Sequence, residues 1–209
     1  MIVVTGASRG LGSAIIQRLN SIGIETFGLA RNVDKIETAK LSCDVSDYAQ
    51  VKNAVANIKK LNKPIDAIIN AAGIASMNLA VITPPKTTQR LINTNLLGTI
   101  YCSQLFAPLM IRKKTGVIIN FSTIAVSLGL KGESIYAASK AGVEGFTRAF
   151  AREMADFNIR VNCISPGPIN TDLLNGVSKE QINSIVSKQI IPKQFNPSNI
   201  CDLVELLVD

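Results

Sequence analysis

The stretch "IVVTGASRGLG", Ile2 to Gly12, passes from a strand pattern through a glycine-rich turn into the start of a helix. Ile2 to Thr5 is continuously apolar and β-branched rather than alternating, the mark of a strand buried on both faces and hence of a parallel sheet. A helical pattern follows from about Leu11 to Ser21. Gly6 permits a tight turn, Gly10 lets the backbone come close to a pyrophosphate, and Gly12 allows close helix packing. The helix N-terminus meanwhile offers free amides to an anion. The spacing is GxxxGxG and not GxGxxG, and glycines after a strand also serve a plain turn, so this stretch alone fits either reading.

Similar apolar runs recur at Ile24 to Leu29, Ile65 to Asn70, Gly116 to Ser122 and Ile159 to Ser165, with a further short strand in "KLSCDVSD". Helical patterns lie between them, at about Asp47 to Leu61, Thr88 to Lys113 and Ser134 to Asp156. Strand alternating with helix predicts an α/β fold, a doubly wound parallel sheet with helices on both faces and ligands at the carboxyl ends of the strands. No repeat, low-complexity stretch or linker interrupts the pattern. The expectation is one domain over residues 1–209, with a substrate loop at about 166–192.

The composition, 47% hydrophobic and 18% charged, is that of a compact globular chain. No apolar run reaches the ~18 residues that a membrane span needs, and a sheet covered on both faces accounts for the hydropathy. "MIVVTG" leads straight into a strand with no basic stretch ahead of an apolar one, so no secretory signal is expected, and a cytoplasmic protein is. Cys43, Cys102, Cys163 and Cys201 are scattered, without CxxC pairing or any histidine partner, so they read as reduced core thiols and no metal site is expected. The formal charge of +7 fits an anionic ligand or an acidic partner. Without a basic tail or an aromatic stacking stripe, nucleic acid is not expected. The densest cations, "IRKKTG" at Ile111 to Gly116, close a helical pattern whose dipole they complement.

In "SIYAASKAG", Ser134 to Gly142, Tyr136 and Lys140 lie one helical turn apart, project from one face and can reach one reacting group. The sequence has no histidine, so proton chemistry near neutral pH needs another acid or base. A tyrosine beside a cation is a candidate, although the same pair also arises in helices by chance.

"TGASRGLG" at Thr5 to Gly12, "CDVSD" at Cys43 to Asp47, "NAAG" at Asn70 to Gly73, "NTNLLGT" at Asn93 to Thr99, "YAASK" at Tyr136 to Lys140 and "SPGPINT" at Ser165 to Thr171 stand in one order. Together they make the chain resemble the short-chain dehydrogenase/reductase family, classical type, from Met1 to almost the last residue. Among its members it looks most like bacterial 3-oxoacyl acyl-carrier-protein reductases. The resemblance implies a Rossmann-type fold and a nicotinamide dinucleotide. Gly6, Ser8, Arg9, Gly10, Leu11 and Gly12 would hold its phosphates, Asp44 and Val45 would edge the adenine, and Asn70, Ala71, Ala72 and Gly73 would line the cleft. Ile169 and Thr171, in a loop with Pro166 and Gly167, would hold the carboxamide. Tyr136 would exchange a proton with the substrate oxygen, and Lys140 would lower its pKa while bonding the ribose. Asn95 would hold a water in the proton relay through an irregularity in its helix. Local alternatives stand beside these roles: Asn95 can cap or kink a helix, Asp44 can cap the helix beginning near Ser46, and Pro166 and Pro168 can stiffen a loop.

The second strand ends "GLARN", with Arg31 and no carboxylate, and Arg9 lies in the glycine turn. Two guanidiniums favour NADP(H) over NAD(H), because an acid there would bond a free 2′-hydroxyl. The family's substrate-orienting serine falls at Thr123, beside Ser122; a threonine hydroxyl can still donate, though its methyl is stiff at χ1. After "NPSNICDLVELLVD" the family's final strand is missing, which bears on the sheet edge and on the homo-oligomer, a dimer or tetramer, that the resemblance implies. The expected activity is hydride transfer between NADP(H) and a carbonyl or secondary alcohol, first among them a 3-oxoacyl thioester carried on acyl carrier protein. Another small ketone, sugar or polyol is the alternative substrate. A catalytically silent NADP-binding regulator or a cofactor-free scaffold is the alternative class.

Overall fold

The computed structural model describes residues 1–174 and 178–209; residues 175–177 of the expected substrate loop lie outside the described residues. The chain runs β1 (Ile2–Thr5), α1 (Gly10–Ser21), β2 (Thr26–Ala30), β3 (Ala39–Ser42), α2 (Tyr48–Lys59), β4 (Ala67–Asn70), α3 (Pro85–Leu91), α4 (Gly98–Ile111), β5 (Gly116–Phe121), α5 (Ala125–Leu128), α6 (Ser134–Ala155), β6 (Ile159–Ile164), α7 (Lys179–Val186) and α8 (Pro197–Val208). The six strands form one sheet in the order β3-β2-β1-β4-β5-β6, every pair parallel. This is the doubly wound order of the Rossmann fold, with its switch point between β1 and β4.

The continuous apolar runs do what they predict. Side chains alternate across the sheet, so β1 sends Val3 to one face and Ile2 and Val4 to the other. On the first face Val3, Leu29, Ile68 and Ile118 pack with Val51, Ile58, Phe106, Met110 and Phe150 of α2, α4 and α6. On the second, Val4, Ile69 and Ile119 meet Ile15 and Leu19 of α1 and Cys201 and Val204 of α8. The four cysteines are free thiols, Cys163 only partly buried.

Three local expectations are refined. The long helix starts early, at Pro85, and a π-helical segment, Ile92–Leu97, joins α3 to α4. The helix near Ser46 is capped by Asp47, whose carboxylate accepts from the Ala49 and Gln50 amides, while Asp44 accepts from the Ser46 amide and hydroxyl. The cations after α4 do more than face its dipole, since Lys113 pairs with Asp66 at 2.5 Å. Among the described residues no strand pairs with the outer side of β6, and no helix is long and apolar enough to cross a membrane.

A buried polar chain crosses the middle of the sheet. Asn70 and Asn120 are register partners on β4 and β5. The Asn70 amide donates to Asn120 Oδ1 at 2.8 Å and to Ser103 of α4 at 3.1 Å, and the Asn120 amide donates to Thr147 of α6 at 2.9 Å. Breaking such a chain strands its remaining members at about 1–3 kcal/mol each. Asn120→Leu should therefore cost on the order of 2–3 kcal/mol in urea unfolding with an unchanged slope. A loss within ~0.5 kcal/mol, the range of ordinary surface substitutions, would show that the chain is not stabilising.

Candidate active site

At the carboxyl end of β1 the backbone turns at Gly6, φ +67°, hard against the β4 loop. A Cβ on Gly6 would stand 2.8 Å from Ala72 backbone atoms, and one on Gly12 would stand 2.4 Å from the Gly6 carbonyl oxygen, so neither position admits a side chain. The Thr5 hydroxyl accepts from the Ala72 amide at 3.1 Å and ties the two loops together. Arg9 precedes α1 without any side-chain cap, which leaves the first amides of that helix open to an anion.

These loops border one cavity of about 940 Å³. Its wall takes in Gly6, Ser8, Arg9, Gly10 and Leu11 from the turn, Arg31 beyond β2, Asp44 and Val45 beyond β3, and Ala71, Ala72 and Gly73 beyond β4. Ser122, Thr123, Tyr136, Lys140, Pro166, Gly167, Ile169 and Thr171 also line it. Three expected residues lie behind the wall instead. Gly12 packs α1 on its turn, Asn70 belongs to the buried chain across the sheet, and Asn95 is enclosed in the π segment. The Asn95 amide donates to the Ile74 carbonyl at 2.9 Å and to Ser139 at 3.0 Å, and its Oδ1 accepts from the Ile74 amide at 2.9 Å. A Cβ on Gly73 would lie 3.5 Å from Asn95 Oδ1 and 3.6 Å from Lys140 Nζ, so the two groups flank the same glycine.

Tyr136 and Lys140 are both buried and both line the cavity, as their spacing on one helical face requires. Lys140 Nζ donates to the Phe121 carbonyl at 2.8 Å. Burial lowers its pKa from 10.5 to about 8. The phenol does not show the lowered pKa expected of a lysine neighbour. Burial, with Glu133 adding to it, pushes Tyr136 up to about 12, against a smaller opposing pull from the Thr123 hydroxyl. A phenol so placed is a proton donor before it is a base.

The two hydroxyls next to it part company. Ser122 donates to Glu144 at 2.6 Å, whereas Thr123 is the one that acts on the phenol. Several lining residues escaped the sequence reading, among them Asp34 and Lys35 after β2, Met77, Leu130 and Glu133. Glu133 had a usable signal, three residues before Tyr136 on the same helical face; Asp34 and Lys35 reach the cleft only through the path of their loop.

The family model for short chain dehydrogenase matches residues 1–182. A 3-oxoacyl-[acyl-carrier-protein] reductase of Bos taurus is 35% identical over 186 residues, 85% of this chain and 78% of that protein. Carbonyl reductase family member 4 of Xenopus laevis is 34% identical over 191 residues, 88% of this chain and 81% of that protein. Among solved structures, "ElxO with NADP Bound" superimposes with a TM-score of 0.89 at 26% identity, covering 100% of this chain and 90% of that one.

The buried lysine makes stability depend on pH. Its folded pKa of about 8 lies below the ordinary lysine value of 10.5, so the unfolded chain holds the proton more tightly and stability climbs as pH rises through that interval. Lys140→Met should unfold at higher temperature than wild type at pH 7, by on the order of 3 kcal/mol at about 1.4 kcal/mol per pKa unit. The advantage should shrink above pH ~8, where Lys140 of the folded wild type gives up its proton and with it the penalty of a buried charge. A gap that stays constant across this range refutes the assignment.

Proposed function

This chain belongs to the short-chain dehydrogenase family, and we propose that within it the protein is an NADP(H)-dependent carbonyl reductase whose leading substrate is a 3-oxoacyl thioester on acyl carrier protein. The observation that carries this reading is the opening of Tyr136, Lys140 and Thr123 onto the same cavity as the uncapped N-terminus of α1. The glycine turn fits a dinucleotide: Gly10, at φ +55°, leaves bare backbone where the phosphates would approach, while Gly6 and Gly12 close the turn against its own backbone. A bound nicotinamide would supply the hydride that the carbonyl carbon receives.

The chain's own residues manage the proton. Tyr136, kept protonated by burial, donates to the substrate oxygen, and Thr123 holds that oxygen and steadies the phenolate left behind. An ammonium has three N–H groups, so Lys140, with one on the Phe121 carbonyl, keeps others for a ribose hydroxyl and for the phenolate. Asn95 and Lys140, flanking Gly73, are the pair through which a water-mediated relay would refill the phenol. Asp44, Val45, Ala71 and Ala72 edge the adenosine half, and Ile169 and Thr171 the nicotinamide end. Gly12 and Asn70 support the site from behind. Arg9, Arg31 and Lys35 line the cleft beyond β1 and β2 and favour a 2′-phosphate over a bare hydroxyl, with Asp34 the opposing charge.

The relatives' names support the thioester, and a net charge of +7 suits an acidic carrier. The protein acts as one domain with a substrate loop at about 166–192, in the cytoplasm and as a homo-oligomer, a dimer or tetramer.

With a short 3-oxoacyl thioester, wild type should consume NADPH and Tyr136→Phe should lose ~10²-fold or more in kcat. Thr123→Val should fall by about 10²-fold and Ser122→Ala by far less. Thr123→Val with undiminished turnover would move the role to Ser122. NADPH should also bind at least ~10-fold more tightly than NADH, about 1.4 kcal/mol. Tighter NADH binding would reverse the cofactor assignment.

A further inference from the structure

Glu133 lines the cavity beside Tyr136, and beyond reinforcing the phenol's hold on its proton it has no part in the function proposed above. It sits at the N-terminal end of α6, three residues before Tyr136, only 8% exposed, and it lines the cavity. The wall beside it has an apolar part: Leu130, Ile74 and Ala75, which line the cavity, pack with Tyr136. Its carboxylate receives no hydrogen bond or ion pair among the described residues. Among the described residues the one fully enclosed polar side-chain atom without a partner is Asn70 Oδ1, so the unpartnered Glu133 oxygens are not sealed off, and Glu133 lines the cavity. Lys140, the cation on the same wall, is turned to the Phe121 carbonyl, and Lys131, two residues earlier, is exposed and off the wall.

A buried acid without a partner is costly, and its cost is relieved when a ligand brings the missing donor. We propose that Glu133 is a substrate-anchoring residue: it accepts a hydrogen bond from an N–H or O–H group on the carbonyl substrate, holds a cationic donor most tightly, and turns away substrates that carry a carboxylate. This rests on the reading that the cavity reduces a carbonyl at Tyr136, and it narrows the substrate class within that reading. The amide N–H groups of a thioester arm and the ammonium of an aminoketone are two sources of the same donor chemistry. Burial raises the Glu133 pKa, in keeping with an acid that waits for its partner in an apolar wall.

The test uses four probes of matched size with the whole protein and NADPH: a ketone with a terminal ammonium, a ketone with an amide N–H, the unsubstituted ketone, and the keto acid. Wild type should rank them in that order by kcat/KM, with at least ~10-fold between ammonium and unsubstituted ketone, a step of about 1.4 kcal/mol. Glu133→Gln keeps the shape, can still accept a hydrogen bond and removes the charge. It should erase the ammonium preference, relieve the exclusion of the keto acid and leave the amide arm least affected. Calorimetric binding of the amino alcohol product, without cofactor, should weaken in the same variant. Wild type that turns over the unsubstituted ketone without favouring donors over the keto acid overturns the proposal before any variant is made, as does a preference that survives Glu133→Gln. If NADPH binds but no ketone is reduced, the reductase reading fails instead, and the calorimetric comparison still decides the role of Glu133.

Discussion

The carboxamide chain from Asn70 through Asn120 to Thr147 sets the relation between sheet and helix on which the site depends. Parallel strands and a helix lying over them can slide against an oily interface at little cost, because hydrophobic attraction has no direction. Hydrogen bonds do have direction, and unmade ones in a dry interior are expensive. By fastening β4 to β5 and β5 to α6, this chain fixes how far α6 is advanced along the sheet. Tyr136 and Lys140 ride on that helix, and the β4 loop approaches Gly6 on the other side, so one register brings the Tyr136–Lys140 pair and the glycine turn to a common opening.

The cavity's electrostatics follow from burial more than from pairing. Lys140 loses affinity for its proton and Tyr136 gains affinity for its own, each because the charged form is poorly solvated there. Both shifts bring the groups toward their neutral forms. Any charge that arises during turnover therefore falls on groups already positioned and in a medium that weakens their interactions little.

The architecture was legible because its signals are local or periodic. Unbroken Val and Ile runs announced strands covered on both sides, and the strand-turn-helix at Ile2 to Gly12 fixed where a ligand would sit. Residues that reach the cavity from those signals, such as Tyr136, Lys140 and Arg31, were found for the same reason. What escaped depends on directions that one-dimensional spacing does not carry. Ser122 and Thr123 are adjacent letters, yet one turns to Glu144 and the other toward the phenol. Asn95 is expected at an irregularity in its helix and the π segment is one, but spacing does not carry that its side chain is wholly enclosed, bonded to the Ile74 backbone and Ser139. Glu133 looks like a solvated helix-start acid until α6 is laid against its neighbours.

Ile169 forms a parallel bridge with Phe195, and the Asn170 amide donates to the Phe195 carbonyl at 3.2 Å. This clasp holds the two ends of the intervening segment together before α8 packs back onto the sheet. Once the ends are fixed, the entropy of closure depends only logarithmically on what lies between, about 0.6 kcal/mol for a doubling in length. The segment between them can thus lengthen, shorten or change composition across generations while the strands keep their positions. On the function proposed above, loop exchange there is a route to new substrate preference without renegotiating the core.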